Sequence, residues 1–489
     1  MAVNLQKVNY SNFPPFYFRE LGDDVLLTND AGEWLFLTKK EFEQFLYGDF
    51  KKNKELHLKL KENNFLKKEL DIGQLSEKYY SRNETVFWGP ALHIVIPTLR
   101  CDHKCIYCHA SAQDSSKKEF DMTQETAKKV VDRIFEAPNK FIVIEFQGGE
   151  PLLNWPIVKL IIEYSEKKTK TEKKALEIKL VSNFSVMDSA KFHYLLKKKV
   201  ALCTSLDGPE KLHNNQRRLL GGNSYQAAAK WLKRFYNLYP KLLKSGYIYR
   251  MGGIVTVTKF SLPHYKEIVD EYIKFKFAEP YIRPLNPFGF SRDNWERLKY
   301  SPDDYLKFYK NLLSYIIELN FSGKKFREKF ALTILRKILT DEDPGHMEYR
   351  SPCGAVVGQV AYNFNGDIYT CDEGRMLGMM GDQTFKLGNV FEDTYQNIIE
   401  KSLTKIMCLA SCLEGLPGCS ECAYKPYCGV CPIYNYFQTG NPFTCVANNK
   451  RCKINQGIID FLFENLKNEK TKELFEGWME EPFNIPVNL

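Results

Sequence analysis

ALHIVIPTLRCDHKCIYCHA (residues 91–110) passes from an apolar run directly into three cysteines, Cys101, Cys105 and Cys108. The run ALHIVIPT reads as a buried strand, so the thiols fall in the loop after it. Five further runs of this kind follow: FIVIEFQGG, LEIKLVSNF, ALCTSLDG, MGGIVTVT and PYIRPLNP. Amphipathic helical stretches such as TQETAKKVVDRIFEA and WPIVKLIIEYSEKK separate them. Strands alternating with helices predict parallel β/α units, and six of them predict an α/β fold, a partial (β/α)6 barrel of the TIM type over residues 86–300. In such barrels functional residues gather where strands end, and the polar motifs of this chain fall at those points.

Other segments flank the barrel. In residues 1–85, DVLLTND and EWLFLT surround an Asp-Ala-Gly turn and read as a hairpin. Thr38 then caps KKEFEQFLYG as a helix, and LHLKLKENNFL has helical periodicity. This small hairpin-plus-helices module is either a peptide-docking unit with an exposed strand edge or a packing extension. Residues 301–350 form a helical link. Residues 351–455 are short Cys-, Gly- and Pro-rich pieces with little apolar periodicity, which points to bound metal as a source of stability. Residues 456–489 complete the chain as a helix and tail.

Composition narrows the possibilities. Hydrophobic residues make up 44% and charged residues 26% of the 489, which suits ordinary folded domains. Formal net charge is +9, but lysine-rich runs are mixed in sign, and no aromatic-plus-basic module predicts nucleic-acid binding. No apolar stretch reaches membrane-span length and the N-terminus lacks the build of a signal peptide, so a cytoplasmic protein with no membrane partner is expected. Of the 14 cysteines none precedes Cys101, and those from Cys353 to Cys452 are crowded together. In a reducing compartment such crowding predicts metal rather than disulfides.

Three thiolates with His103 and His109 nearby are an awkward set for zinc, whose sites generally come as four ligands. A [4Fe-4S] cluster held by three cysteines keeps one iron open. Cys101, Cys105, Tyr107 and Cys108 after the first strand resemble the C-x3-C-x-aromatic-C signature of radical S-adenosylmethionine enzymes. The resemblance implies that the open iron binds S-adenosylmethionine and that one electron releases a 5′-deoxyadenosyl radical. It further implies that Tyr107 lies against the adenine. Gly148, Gly149 and Glu150, with Pro151, look like the family's GGEP element, the glycines letting backbone approach a ligand and an acceptor meeting the methionine ammonium. Ser182 and Asn183, then Ser205 and Asp207, resemble positions used for the ribose and the carboxylate. Arg217 matches an arginine of peptide-modifying members. Cys203, inside its strand, reads as a buried apolar residue.

The second cysteine field resembles the SPASM auxiliary-cluster domain: Cys353, Gly366 and Cys371, then Cys419, Cys422, Cys428 and Cys431, then Cys445. The family pattern has three residues before the fourth cysteine of the central run, where CGVC has two. By resemblance one auxiliary [4Fe-4S] cluster uses Cys419, Cys422, Cys428 and Cys445. A second uses Cys353, Cys371 and Cys431, its fourth ligand being Cys408, Cys412, Cys452 or a substrate atom. Structural zinc is the competing use of these cysteines. Asp372 matches an aspartate proposed as base in the sulfatase-maturing relatives, and a solvated turn carboxylate is the alternative.

These readings predict an oxidoreductase of peptide maturation, with a precursor peptide as substrate and a flavodoxin- or ferredoxin-like electron donor. LLTNDAGEWLFLTKKEF and TCDEGRM look similar to maturase B of His-Xaa-Ser peptide systems. Three alternatives stand beside this: a sulfatase-type protein maturase forming formylglycine, a radical enzyme acting on a small metabolite, and a noncatalytic Fe-S or zinc scaffold.

Overall fold

The computed structural model describes residues 5–277, 279–444, 446 and 449–480. Its N-terminal sheet is antiparallel, β1 (Tyr17–Leu21), β2 (Asp24–Thr28) and β3 (Trp34–Thr38) in that order. β2 and β3 are the expected hairpin; β1 is a third strand that the sequence reading missed. Thr38 caps the helix Lys39–Tyr47 as expected, in a capping box with Glu41. Val25, Leu27, Leu35 and Leu37 bury one face of this sheet against Phe42 and Phe45.

β4 (Leu92–Val95) opens the barrel. The cysteine loop after it carries three short strands, β5 (Arg100–Cys101), β6 (His103–Cys105) and β7 (Gln113–Asp114). The barrel continues through β8 (Phe141–Phe146), β9 (Ala175–Val181) and β10 (Ala201–Ser205). The short β11 (Arg217–Leu219) pairs back onto β6, and β12 (Gly252–Thr256) and β13 (Tyr281–Arg283) finish the set. β4, β8, β9, β10, β12 and β13 are successive parallel neighbours, the six-stranded partial barrel the alternation predicts.

Period-two burial explains how these strands divide their labour. In β8, Ile142, Ile144 and Phe146 are fully buried against the helix Gln124–Glu136, whose Val130, Val131 and Ile134 are equally buried. Each such side chain contributes about 1.5–3 kcal/mol of burial. The alternate residues Glu145, Glu177 and Lys179 line the barrel interior.

The cysteine-rich segment is more tightly integrated than its texture predicts. β14 (Gln359–Tyr362) pairs in parallel with β4 on the side away from β8, and β15 (Asp367–Tyr369) and β16 (Lys386–Asn389) extend the sheet antiparallel. One nine-stranded sheet therefore spans both regions. The N-terminal module also docks on this segment: Thr28 Oγ1 donates to the Ala423 carbonyl, Tyr427 to the Gly32 carbonyl, and Lys425 pairs with Asp30. Among the described residues no helix is long and apolar enough to cross a membrane.

Candidate functional site

The three-cysteine loop is held on both flanks by strand pairing. Cys101 in β5 is registered with Asp114 in β7, and Cys105 in β6 with Arg217 in β11. A turn closes from the Cys108 amide to the Cys105 carbonyl at 3.2 Å. Burial pushes the Cys101 thiol well above its ordinary range and the Cys105 thiol up to about 12. Buried thiols of this kind ionise when a metal supplies the positive charge.

The expected strand-end residues converge on this loop. Gly148 and Gly149 are needed by the protein itself, since a Cβ would lie 2.4 Å from the Thr98 carbonyl oxygen at the first and 2.2 Å from that of Arg100 at the second. Gly148 has φ +127°, a further demand for glycine. Both therefore let the end of β8 press against the chain leaving β4.

Glu150 is fully buried and accepts from Leu152 N, Ser182 Oγ and Asn183 N at 2.8–3.0 Å. Burial pushes its carboxyl up to about 7. Asn183 Nδ2 reaches Asp102 Oδ1 at 3.0 Å and stands 3.8 Å from Cys101 Sγ. Ser205 ends β10, in register with Ile254.

Tyr107, Asp207 and Arg217 form a second buried group. The Tyr107 hydroxyl donates to Asp207 Oδ2 at 2.6 Å and accepts from Arg217 Nη1 at 2.9 Å. Gln216 Nε2 also reaches Asp207 Oδ2, at 3.3 Å, whereas Asp207 Oδ1 is buried with no hydrogen-bond partner. Burial pushes Asp207 up to about 6. An orphaned buried acceptor beside a cation is a place prepared for a polar ligand.

The second field holds two groups of thiols. Cys371 precedes the helix Asp372–Met379, and burial pushes its thiol well above the ordinary range, with Glu373, Cys431 and Cys353 close enough to add to the effect. Cys419, Cys422, Cys428 and Cys452 line one cavity, which Cys431 also borders. Backbone amides point at the sulfurs of Cys422 and Cys431 at 3.4 Å, and Asn455 Nδ2 at that of Cys428 at 3.7 Å. The expected ligand Cys445 lies outside the described residues. Cys412 donates to Glu414, and Cys408 lies beside Arg350.

Four thiolates on one zinc ion stand about 3.8 Å apart. Among the described residues no three cysteine sulfurs lie within 4.8 Å of one another; the group that does is Cys101, Asp102 and His103. Both nitrogens of His103 are already engaged, by Asp102 and by Ser224.

Inside the barrel runs a cavity of about 350 Å³, bordered by Gln147 at the end of β8, Arg283, Glu348, Asp372 and Glu373. Asp372 Oδ1 is gripped by Arg375 Nε at 2.9 Å and Nη2 at 2.8 Å, so it is a fixed, buried carboxylate rather than a solvated turn residue. Arg283 Nη2 lies 2.7 Å from Glu373 and 3.4 Å from Glu348, and Arg451 meets Glu348 at 3.6 Å. Although burial opposes it, Arg283 and Arg451 bring Glu348 down to about 2. Cys203 borders the same cavity near Glu145 and Lys329, a polar setting that the apolar reading missed. The sequence reading also missed Arg283, Glu348 and Arg451, which stand in no motif.

The Radical SAM superfamily model matches residues 95–272. A cysteine-type anaerobic sulfatase-maturating enzyme of Clostridium perfringens is 26% identical over 296 residues, covering 58% of this chain and 76% of that protein. The radical SAM cyclopropyl synthase TigE of Paramaledivibacter caminithermalis is 29% identical over 146 residues, 27% of this chain and 30% of that protein. Among solved structures, native anSMEcpe with bound AdoMet superimposes with a TM-score of 0.63 at 20% identity, covering 78% of this chain and all of that one. Streptococcus suis SuiB bound to its precursor peptide SuiA has a TM-score of 0.52 at 16% identity, covering 89% and 97%. The fold and the three-cysteine loop thus agree with the family match, and the [4Fe-4S] cluster and S-adenosylmethionine follow as cofactors. The chain is a radical SAM superfamily enzyme related to the cysteine-type anaerobic sulfatase-maturating enzymes.

Proposed function

We propose that this enzyme oxidises a side chain of a ribosomally made precursor peptide in the cytoplasm. The observation that carries the reading is the barrel cavity that runs from Gln147, at the end of β8, to Asp372 and Glu373, at the start of the helix that follows Cys371. A side chain entering it would have the radical-generating site on one side and an electron acceptor on the other. The likeness to SuiB, solved with its precursor peptide, supports a peptide substrate.

Cys101, Cys105 and Cys108 would hold the first cluster, leaving one iron for S-adenosylmethionine. When bound, these groups supply one-electron cleavage of the sulfonium and hydrogen-atom abstraction. Arg217 and Asp207 would fix the orientation of the nucleotide, with Tyr107 between them, while Glu150 braces Ser182 and Asn183. Asp372, held by Arg375, is the proposed proton acceptor. Two auxiliary clusters are part of the reading. Cys353, Cys371 and Cys431 serve one; Cys419, Cys422 and Cys428 serve the other, with Cys452 as a fourth thiol on the same cavity. The outer strands β1 and β3 offer edges for strand addition by the peptide.

Co-expression with candidate precursor peptides, followed by mass spectrometry, tests the proposal. Loss of hydrogen from one peptide, abolished by replacing Cys101, Cys105 and Cys108 with Ala, is the expected result. Oxidation of a sulfatase cysteine or serine instead would favour the second reading, a sulfatase-type maturase, which rests on the Clostridium perfringens relative.

A further inference from the structure

The helix Ile72–Asn83 leaves part of its apolar face uncovered. Ile72, Tyr80 and, just beyond the helix, Phe87 are 62%, 66% and 85% exposed. With Pro15, Ala31 and Leu75 they line one groove of about 510 Å³. Apolar side chains gathered in a groove, rather than scattered singly, mark a surface that something covers. The groove also has polar edges, since Asn29 Nδ2 and Asn83 Oδ1 have no hydrogen-bond partner among the described residues. Such edges suit an extended backbone, which brings unpaired N–H and C=O groups with it.

The occupant follows from where the helix Glu469–Glu480 ends. That helix brings the Met479 carbonyl to 3.4 Å from Arg336 Nη2. The residue after Arg336, Lys337, gives its carbonyl to Arg82 Nη2 at 2.7 Å, and Lys78 pairs with Asp341 at 3.0 Å. Arg82 adjoins Asn83, which lines the groove. Residues 481–489, EPFNIPVNL, continue from this point and lie outside the described residues. Nine extended residues reach about 30 Å, against a path of two arginine side chains and two steps between chain neighbours. Their pattern has period two: Phe483, Ile485, Val487 and Leu489 are apolar, with Pro482, Asn484, Pro486 and Asn488 alternating between them. In an extended chain the four apolar residues share one face. Pro482 and Pro486 fix φ and bar a helix, so little freedom is lost on seating. We propose that residues 481–489 lie in this groove as an extended strap from the same chain, apolar face inward, clasping the N-terminal module to the helix Glu469–Glu480. The strap does not depend on the reaction proposed above.

The test uses the full chain and a fluorescein-labelled synthetic peptide of residues 481–489, with binding read by anisotropy. In the variant Phe483→Asp with Ile485→Asp the chain's own strap is disabled and the groove lies open. That variant should bind the peptide. The parent should bind it about tenfold more weakly, because a tethered segment competes at an effective concentration on the order of millimolar. Amides of Ile72–Asn83 should exchange faster in the disabled chain than in the parent. Adding Tyr80→Lys with Phe87→Lys to the disabled chain should abolish peptide binding. The milder pair Tyr80→Ser with Phe87→Ser should weaken it, which guards against misfolding by the new charges. Equal peptide binding by parent and disabled chain overturns the proposal, as does binding that both groove pairs leave unchanged. No binding by the disabled chain means that the groove takes another partner, such as a substrate peptide, and overturns it as well. A parent that dimerises through residues 481–489, seen as a molecular mass that falls in the Phe483→Asp with Ile485→Asp variant, overturns the placement within one chain.

Discussion

Arg217 stands directly opposite Cys105 across the β6–β11 ribbon, and its guanidinium donates to the Tyr107 hydroxyl at 2.9 Å. That hydroxyl in turn donates to Asp207, so one cation organises a buried phenol, a buried carboxylate and a thiol of the three-cysteine loop. Removing one partner of a buried charged group costs about 3–5 kcal/mol. Arg217→Gln should lower 5′-deoxyadenosine formation about tenfold or more while full iron content is retained, with Arg217→Lys restoring part of the rate. Parental cleavage by Arg217→Gln would remove this residue from the site.

Cys452 tests the second thiol group. If it serves the cluster of Cys419, Cys422 and Cys428, Cys452→Ala should lose about four irons per chain, and the spectrum of the three-cysteine centre should be unchanged. Iron analysis with electron paramagnetic resonance on the reduced protein reads both. Undiminished iron would return the role to Cys445.

Gly149, unlike Gly148, has no positive φ, so a methyl group there tests the close approach alone: the Arg100 carbonyl oxygen, 2.2 Å off, is backbone and cannot swing away. Gly149→Ala should cost about 1–3 kcal/mol through overpacking and displace the loop that begins at Arg100. A lowered unfolding midpoint in denaturant, together with reduced iron at the three-cysteine site, is expected.

Glu150 gives a pH signature. Burial raises its carboxyl from the ordinary 4.5 to about 7, so between those values the folded chain keeps a proton that the unfolded chain has released. Stability from this group is present below pH 4.5 and is lost as pH rises to 7, by at most about 3 kcal/mol. Glu150→Gln should flatten that part of the stability profile in chemical denaturation at pH 5 and 7. An unchanged profile would mean that the three donors to Glu150 keep it ionised throughout.

Much of the barrel was legible because its strands repeat one physical pattern, apolar residues facing the helices and a polar motif where each strand stops. GGEP, the Ser182-Asn183 pair and the Ser205-to-Asp207 segment were found for that reason, and the structure connects the first two to the cysteine loop through Glu150 and Asn183 and the third through Tyr107. β14, β15 and β16 escaped because three or four residues are too few to display a period, and their burial comes from β4 rather than from their own sequence. Arg283, Glu348 and Arg451 escaped for another reason. They are brought together across more than 160 residues by packing alone, and no local spacing announces such a meeting.

The grip of Gly32 and Thr28 on the Cys422–Cys428 loop joins positions 395 residues apart. The half of this seat at Thr28 and Gly32 is made hundreds of residues before the half at Ala423 and Tyr427, so the loop acquires its support only after a long stretch of intervening chain has been synthesised.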